Sequence, residues 1–218
     1  MYMKEKTFQK LNYIWIAIFL ILGLSVGIYN IFCSTPYYIM LAFASIAFLA
    51  IPPLAYKVFK LQAVPSLTFM VYTFSFLAFT IGMVFNGYKL LLFYDKFVHT
   101  LSGVFFGLIG IGCYYLLKPV KKIESMDYKM VTYFCISFAL SIAVIWEIYE
   151  YAIHFILGTD PQHVLDTGVN DTMQDMIVCL IGALLLCIPI YLFYRKKKTD
   201  FFMGVFQSFF DANYKKNS

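Results

Sequence analysis

The stretch MQDMIVCLIGALLLCIPIYLFYRKKK, residues 173–198, decides the fold of this chain. Its apolar run, 173–194, holds one acidic residue, Asp175, near its start, and four basic residues follow the run directly. A bilayer core about 30 Å thick needs about 20 apolar residues in a helix that rises about 1.5 Å per residue. The stretch therefore predicts a membrane-spanning helix with one acidic and one basic end.

The composition of the whole chain agrees with this interpretation. Hydrophobic residues make up 61% of the 218 residues and charged residues 13%, and the mean hydropathy is +0.76. A soluble domain averages about 25% charged residues. A water-soluble protein of this composition would expose large apolar patches and aggregate. The chain is therefore predicted to be an integral membrane protein.

Five further segments have the length and composition of a membrane span. With the first stretch, the predicted spans are 11–32, 37–56, 64–85, 90–117, 130–157 and 173–194. We expect helices, because backbone polar groups in lipid need partners within the same segment. Pro52 and Pro53 should kink or stop the second span. The prediction is an all-α polytopic transmembrane helical bundle of about six spans, forming one domain over residues 1–199.

The basic residues predict the orientation of these spans. If the N-terminus lies inside, 15 of the 17 lysines and arginines fall in inner segments, and only Lys89 and Lys96 fall in outer ones. This distribution follows the positive-inside rule and predicts that both termini are cytoplasmic. It also accounts for the net charge of +5, because inner lysines face anionic lipid. Membrane lipids are therefore the expected partners, and no nucleic acid is expected.

The end of the chain, residues 200–218, is predicted to be an amphipathic cytoplasmic tail. Apolar pairs recur at 201–202, 205–206 and 209–210, which places them on one helical face. This pattern predicts an interfacial helix lying on the inner leaflet. A disordered tail is the alternative.

Polar residues gather at the outer ends of the last three spans. All three histidines lie there, together with seven of the twelve acidic residues: Asp95, Glu147, Glu150, Asp160, Asp166, Asp171 and Asp175. Counted outward from the inner charges, Glu147 lies inside the hydrocarbon core and Asp175 at its boundary. These groups are expected at the depth of lipid headgroups.

Helical spacing sorts the polar residues into three stripes. The stripes are Asp95 with His99, Glu147 with Glu150 and His154, and Asp171 with Asp175. A carboxylate inside a membrane costs at least about 2–3 kcal/mol, so it should face protein or water rather than lipid. The three stripes are therefore expected to converge on one site.

Convergence would bring several like charges together around a single nearby lysine, Lys96. Two carboxylates about 4 Å apart repel by about 4 kcal/mol at an effective dielectric constant near 20. Either some of the acids stay protonated or a cation lies among them. Carboxylates with one or two imidazoles suit Zn²⁺, Mn²⁺ or Fe²⁺. The absence of thiolates favours a metal site with open positions over a structural zinc site.

Each residue also has a simpler interpretation. Glu147 and Glu150 could belong to an aromatic belt beside Trp146, and Asp171 could be a helix N-cap. Asp160 and His163 are expected to be solvated loop residues. His154 fits either interpretation equally well.

The ordered set of motifs resembles the YjdF-like bacterial inner-membrane proteins. The residues that carry the resemblance are Tyr94-Asp95-Lys96-x-x-His99-x-x-x-Gly103, Trp146-Glu147-x-x-Glu150, and Asp171-Thr172-x-x-Asp175-Met176 followed by Gly182-Ala183. A looser similarity reaches the VanZ-like proteins. The resemblance implies a bacterial cytoplasmic membrane and six polar motif positions: Asp95, His99, Glu147, Glu150, Asp171 and Asp175. It implies no activity, and it assigns no role to Asp160, His163 or Asp166.

Three functions fit these observations. The first is a metal-dependent hydrolase or transferase acting on a lipid or lipid-linked substrate, with His99 and Asp175 as ligands and Glu147 or Glu150 as catalytic base. The second is a cation- or proton-coupled transporter. The third is a non-catalytic membrane scaffold. Substrate, metal identity and oligomeric state do not follow from the sequence.

Overall fold

The computed structural model describes residues 4–215, and all regular structure in that range is helical. Six helical segments are long and apolar enough to cross a membrane: Glu5–Cys33, Pro36–Val58, Pro65–Val84, Tyr94–Leu117, Ser125–Ile156 and Asn170–Lys196. The predicted all-α class with about six spans is confirmed. Lys216, counted above among the inner lysines, lies outside the described residues.

The described chain divides into two compact units. The first comprises residues up to Tyr94 together with residues from Gly204 onward. Its helices are α1 (Glu5–Cys33), α2 (Pro36–Ala47), α3 (Ile51–Val58), α4 (Pro65–Ser75), α5 (Gly87–Leu90) and most of α10 (Phe201–Tyr214). A π-helix, Phe76–Val84, continues α4.

The second span is broken where the two prolines lie. A 3₁₀ turn, Phe48–Ala50, follows α2, and Pro52 and Pro53 then occupy the first turn of α3. Proline is tolerated in a first turn because the N–H it lacks would have no partner there. The predicted interruption is confirmed, and the helix restarts after it.

The predicted C-terminal helix is also present, as α10. Its apolar face was expected to lie on the inner leaflet, and the structure covers this face differently. Five side chains of this helix are each no more than 6% exposed: Met203, Val205, Phe206, Phe209 and Phe210. They are therefore buried in protein rather than left free for lipid. Phe201 is 40% exposed.

The second unit, residues 95–203, carries the predicted site. It contains nearly all of α6 (Tyr94–Leu117), followed by α7 (Tyr128–Leu157), α8 (Val164–Thr167) and α9 (Asn170–Lys196). α6 and α9 approach closely at two glycines. A Cβ atom at Gly103 would overlap the Cys179 carbonyl oxygen, and one at Gly182 would overlap the Thr100 carbonyl oxygen. Glycine at these two positions lets the backbones of the two helices come into contact.

A small-residue core lies along α7 and α9. It consists of Ala139, Ala143, Cys179 and Ala183, with Phe106, Ile136 and Met176 packed against it. Short side chains at these positions let the helix backbones come close. This close packing carries the polar ends of α6, α7 and α9 to one end of the unit.

A second buried polar cluster lies at the other end of α6, around the carboxylate of Asp127. That carboxylate accepts hydrogen bonds from the Tyr114 hydroxyl at 2.9 Å, the Tyr115 hydroxyl at 2.8 Å and the Lys118 ammonium at 2.7 Å. It also accepts one from the Glu124 backbone N–H at 2.9 Å. Asp127 is 5% exposed, and each of its oxygens has a donor.

Candidate metal centre

The first turns of α6 carry an aspartate and a histidine on one face. Nε2 of His99 lies 3.5 Å from Oδ1 of Asp95, so the predicted stripe is present. Asp95 lies in the first turn of α6, and Asp171 lies in the first turn of α9. The N-terminal end of a helix dipole stabilises carboxylates at such positions.

Lys96 lies at the centre of the polar group. Its ammonium donates hydrogen bonds to Oδ2 of Asp95 at 3.0 Å, to Oδ1 of Asp171 at 2.6 Å and to Oδ1 of Asp175 at 2.7 Å. These bonds link α6 to α9. Lys96 thus places one cation of the chain itself among three of the acids. The expectation of either protonated acids or a further cation in addition to this lysine stays a prediction.

Three side chains present ligand atoms close enough to share a metal ion. One donor atom from each of Asp95, His99 and Asp175 lies within 4.8 Å of the other two, and Nε2 of His99 is 3.9 Å from Oδ1 of Asp175. Zinc binds imidazole nitrogen and carboxylate oxygen at about 2.0–2.2 Å. Sharing one ion would bring the three donors closer together than they lie here.

Glu147 is held by a glutamine from the loop that follows α7. Nε2 of Gln162 lies 3.0 Å from Oε2 of Glu147, 3.2 Å from the Glu147 carbonyl oxygen and 3.2 Å from Oγ1 of Thr172. Glu147 is 6% exposed, and its second oxygen, Oε1, has no hydrogen-bond partner among the described residues. The carboxylate is close enough to His99 to interact with it electrostatically.

Glu150 and Asp171 lie beside this group rather than within it. Oε1 of Glu150 accepts a hydrogen bond from the Trp146 indole at 2.9 Å, and Glu150 interacts electrostatically with Glu147, Asp95 and Asp175. Asp171 pairs with Lys96 and does not join the three-residue donor group. Of the six candidate ligands, Asp95, His99 and Asp175 are brought together.

The remaining polar residues shape the loop between α7 and α9. Nδ1 of His154 lies 2.7 Å from the Thr159 carbonyl oxygen. The Asp160 carboxylate accepts the backbone N–H groups of Leu165 and Val164; these bonds lower the pKa of Asp160 below its ordinary value. His163 and Asp166 are exposed. The simpler interpretation of Asp160 and His163, as loop residues, fits these contacts.

Gln162 is a site residue that the sequence patterns did not indicate, and Thr172 belongs to the quoted motif but was given no role there. A glutamine in a polar loop is usually solvated, whereas Gln162 is 7% exposed. Its burial depends on how the loop folds over the end of α7. The only sequence signal is the position of Thr172 beside Asp171.

Comparison with known proteins is consistent with this description. A family model described as "Predicted membrane protein (DUF2238)" matches residues 11–197, which include all the residues of the site. The chain belongs to this family. The similarity to YjdF-like proteins is consistent with the DUF2238 assignment, and the similarity to VanZ-like proteins stays a hypothesis.

The DUF2238 chain also resembles a protein of Thermotoga maritima that carries the name "Uncharacterized protein". The two are 29% identical over 153 residues, which cover 69% of this chain and 73% of the relative. No solved structure matches the chain.

Proposed function

We propose that this protein is a membrane-embedded, metal-dependent hydrolase or transferase acting on a lipid or lipid-linked substrate. The observation that carries the proposal is the donor group of Asp95, His99 and Asp175, whose ligand atoms lie within 4.8 Å of one another. Two carboxylates and one imidazole suit Zn²⁺, Mn²⁺ or Fe²⁺. Three protein ligands leave positions for water and substrate, as in catalytic zinc sites.

A bound divalent metal would polarise a phosphoryl or carbonyl oxygen and activate a water molecule. Glu147 is the preferred catalytic base, because its Oε1 is buried and has no partner in the described part of the chain. Gln162 holds the other oxygen of the same carboxylate, which fixes its orientation. Glu150 is the second candidate base, although the Trp146 indole occupies one of its oxygens.

The placement of charge supports an outer-leaflet substrate. The site lies at the start of α9, and Arg195 and Lys196 lie at the end of that helix. If the basic end faces the cytoplasm, the site lies at the level of the outer headgroups. We therefore propose a bacterial cytoplasmic membrane location with both termini inside, and a substrate whose reacting bond lies near its headgroup.

Cation or proton transport is the main alternative. A pathway needs polar groups along the span, whereas the small apolar core of Ala139, Ala143, Cys179 and Ala183 follows the site along α7 and α9. A scaffold is the third possibility, because the ion pairs of Lys96 by themselves join α6 to α9. The apolar core favours an enzyme over a transporter, and metal content separates an enzyme from a scaffold.

Elemental analysis of protein purified without chelator tests the proposal. We expect about one equivalent of a transition metal in the wild type, as a single three-ligand site implies. His99→Gln should lose the metal. His154→Gln, a change of the same type outside the donor group, should keep it. A metal-free wild type, or equal metal in wild type and His99→Gln, would contradict the proposal.

A further inference from the structure

We propose that Lys96 and a divalent metal compete for the aspartates of this site, so that metal binding moves the Lys96 ammonium onto Asp171. The inference rests on the proposed function and describes how the same site is regulated. In the metal-free state the ammonium would be the resident cation. In the metal-bound state Asp95, His99 and Asp175 would be the ligands.

The competition follows from shared oxygen atoms. Oδ1 of Asp175 accepts the Lys96 ammonium at 2.7 Å, and the same atom is 3.9 Å from Nε2 of His99. Asp95 divides its two oxygens, with Oδ2 toward Lys96 and Oδ1 toward His99. Two of the three carboxylates that hold the ammonium are therefore two of the three metal donors.

Asp171 gives the displaced ammonium a partner. It makes the shortest of the three contacts, 2.6 Å, and it lies outside the donor group. The lysine ammonium sits on a flexible four-carbon stem, and the Lys96 side chain is 21% exposed. A small movement of this stem would vacate Asp95 and Asp175 while keeping Asp171.

The electrostatics of the site give the direction of the effect. A divalent ion placed beside the ammonium is repelled by it, and this repulsion is strong where solvent screening is weak. Without the metal, the three aspartates face one cation, the Lys96 ammonium. With the metal, the same carboxylates are shared between two cations. Lys96 should therefore weaken metal binding, and metal binding should loosen the contacts of Lys96.

Titration of the full chain in detergent with Mn²⁺, monitored by electron paramagnetic resonance, tests whether Lys96 weakens metal binding. Lys96→Met should bind Mn²⁺ about tenfold tighter than wild type or better, and Lys118→Met should stay within about twofold of wild type. Lys118 is the matched control, because it also pairs with a buried aspartate, Asp127, in the same unit. Equal or weaker binding by Lys96→Met overturns the inference.

The same titration separates this inference from the proposed function. If Lys96→Met binds Mn²⁺ at least about tenfold tighter than the wild type and the purified wild type contains no transition metal, competition is supported and the proposed function is rejected. If neither protein binds Mn²⁺, competition is overturned, and the metal content of the purified wild type decides the proposed function by itself.

A labelling experiment on the wild type does not depend on the folding of a variant. The rate at which acetic anhydride acetylates Lys96 is measured by mass spectrometry with and without saturating Mn²⁺. The metal should raise this rate severalfold, because the ammonium gives up two of its three acceptors and becomes more accessible. The rate at Lys118 should not change. An unchanged or slower reaction at Lys96 would overturn the competition.

Discussion

Two lysine–aspartate clusters at opposite ends of α6 are built in opposite ways. The Asp127 carboxylate accepts hydrogen bonds from four donors: the side chains of Tyr114, Tyr115 and Lys118 and one backbone N–H. At Lys96, one ammonium faces three carboxylates. The first cluster is rich in donors, and the second is rich in acceptors.

This difference separates a structural cluster from a binding site. A buried carboxylate whose oxygens both have donors has no free capacity for a ligand, and its contribution is to hold the helix ends together. The Lys96 cluster has more negative charge than its single ammonium compensates, and Glu147 nearby has a buried oxygen without a partner. Surplus acceptors of this kind are what a metal cation or a proton can use.

The largest expected loss of stability follows a substitution in the donor-rich cluster around Asp127. Asp127→Ala leaves Lys118 and two tyrosine hydroxyls without their acceptor, and it should lower the free energy of unfolding by about 3–5 kcal/mol. Circular dichroism in mixed micelles with increasing SDS measures this change. Glu124→Gln, at a half-exposed partner of Lys118, should cost less than about 1 kcal/mol. Similar effects of the two changes would end the distinction between the clusters.

The next largest expected loss of stability is at Gln162, the buried glutamine in the loop after α7. Gln162→Ala removes the donor shared by Glu147 and Thr172, and leaving such groups unpaired costs about 1–3 kcal/mol. Gln174→Ala, at an exposed glutamine of α9, should change the free energy of unfolding by no more than about 0.5 kcal/mol. The same SDS titration compares them. An effect at Gln162 no larger than at Gln174 would show that the bonds to Glu147 contribute nothing.

Asp175→Asn should have a small effect on stability and a complete effect on metal binding. The asparagine oxygen can still accept from Lys96, and one of the surplus negative charges is removed. The free energy of unfolding should change by less than about 1 kcal/mol, or rise, as is common at functional sites. Elemental analysis of the same preparation should find no metal. A loss of several kcal/mol with unchanged metal content would instead identify this cluster as structural.

The smallest expected effect is local, in the loop after α7. The bonds from Leu165 and Val164 hold the pKa of Asp160 below its ordinary value, so their stabilisation is fully present above about pH 4 and is lost as the pH falls through the lowered pKa. Hydrogen exchange of peptides covering 158–169 should therefore accelerate only in acid, after correction for the intrinsic exchange rate. Asp160→Asn should accelerate it at neutral pH, whereas Asp166→Asn should not. Equal exchange in the two variants would show that the hydrogen bonds of Asp160 do not hold this loop.

Much of the site could be predicted from spacing. Asp95 and His99 are four residues apart on a helix, and the structure brings their side chains to 3.5 Å. Asp175 was expected to converge on them from another span, and it does so. These predictions succeeded because an intramembrane carboxylate is strongly driven to face protein, which limits where the polar faces of neighbouring helices can point.

Other features depended on contacts that spacing does not encode. The position of Lys96 among three aspartates requires α6 and α9 to be in backbone contact at Gly103 and Gly182. The burial of Gln162 requires the loop to fold back over α7. The aromatic face of α10 was expected to meet lipid, but Phe206 is 2% exposed. An apolar helical face predicts burial without saying whether protein or lipid provides the apolar surroundings.

By itself, the sequence determined that the chain forms six apolar helices and that acids and imidazoles collect at the starts or ends of the last three. Both follow from local chemistry, because lipid accepts only helices with satisfied backbones and polar side chains must find polar surroundings. Only the tertiary structure decided which acids share a cation, which carboxylate oxygen is left without a partner and which glutamine is buried. Those outcomes depend on the distance and rotation between packed helices, which a few glycine contacts set.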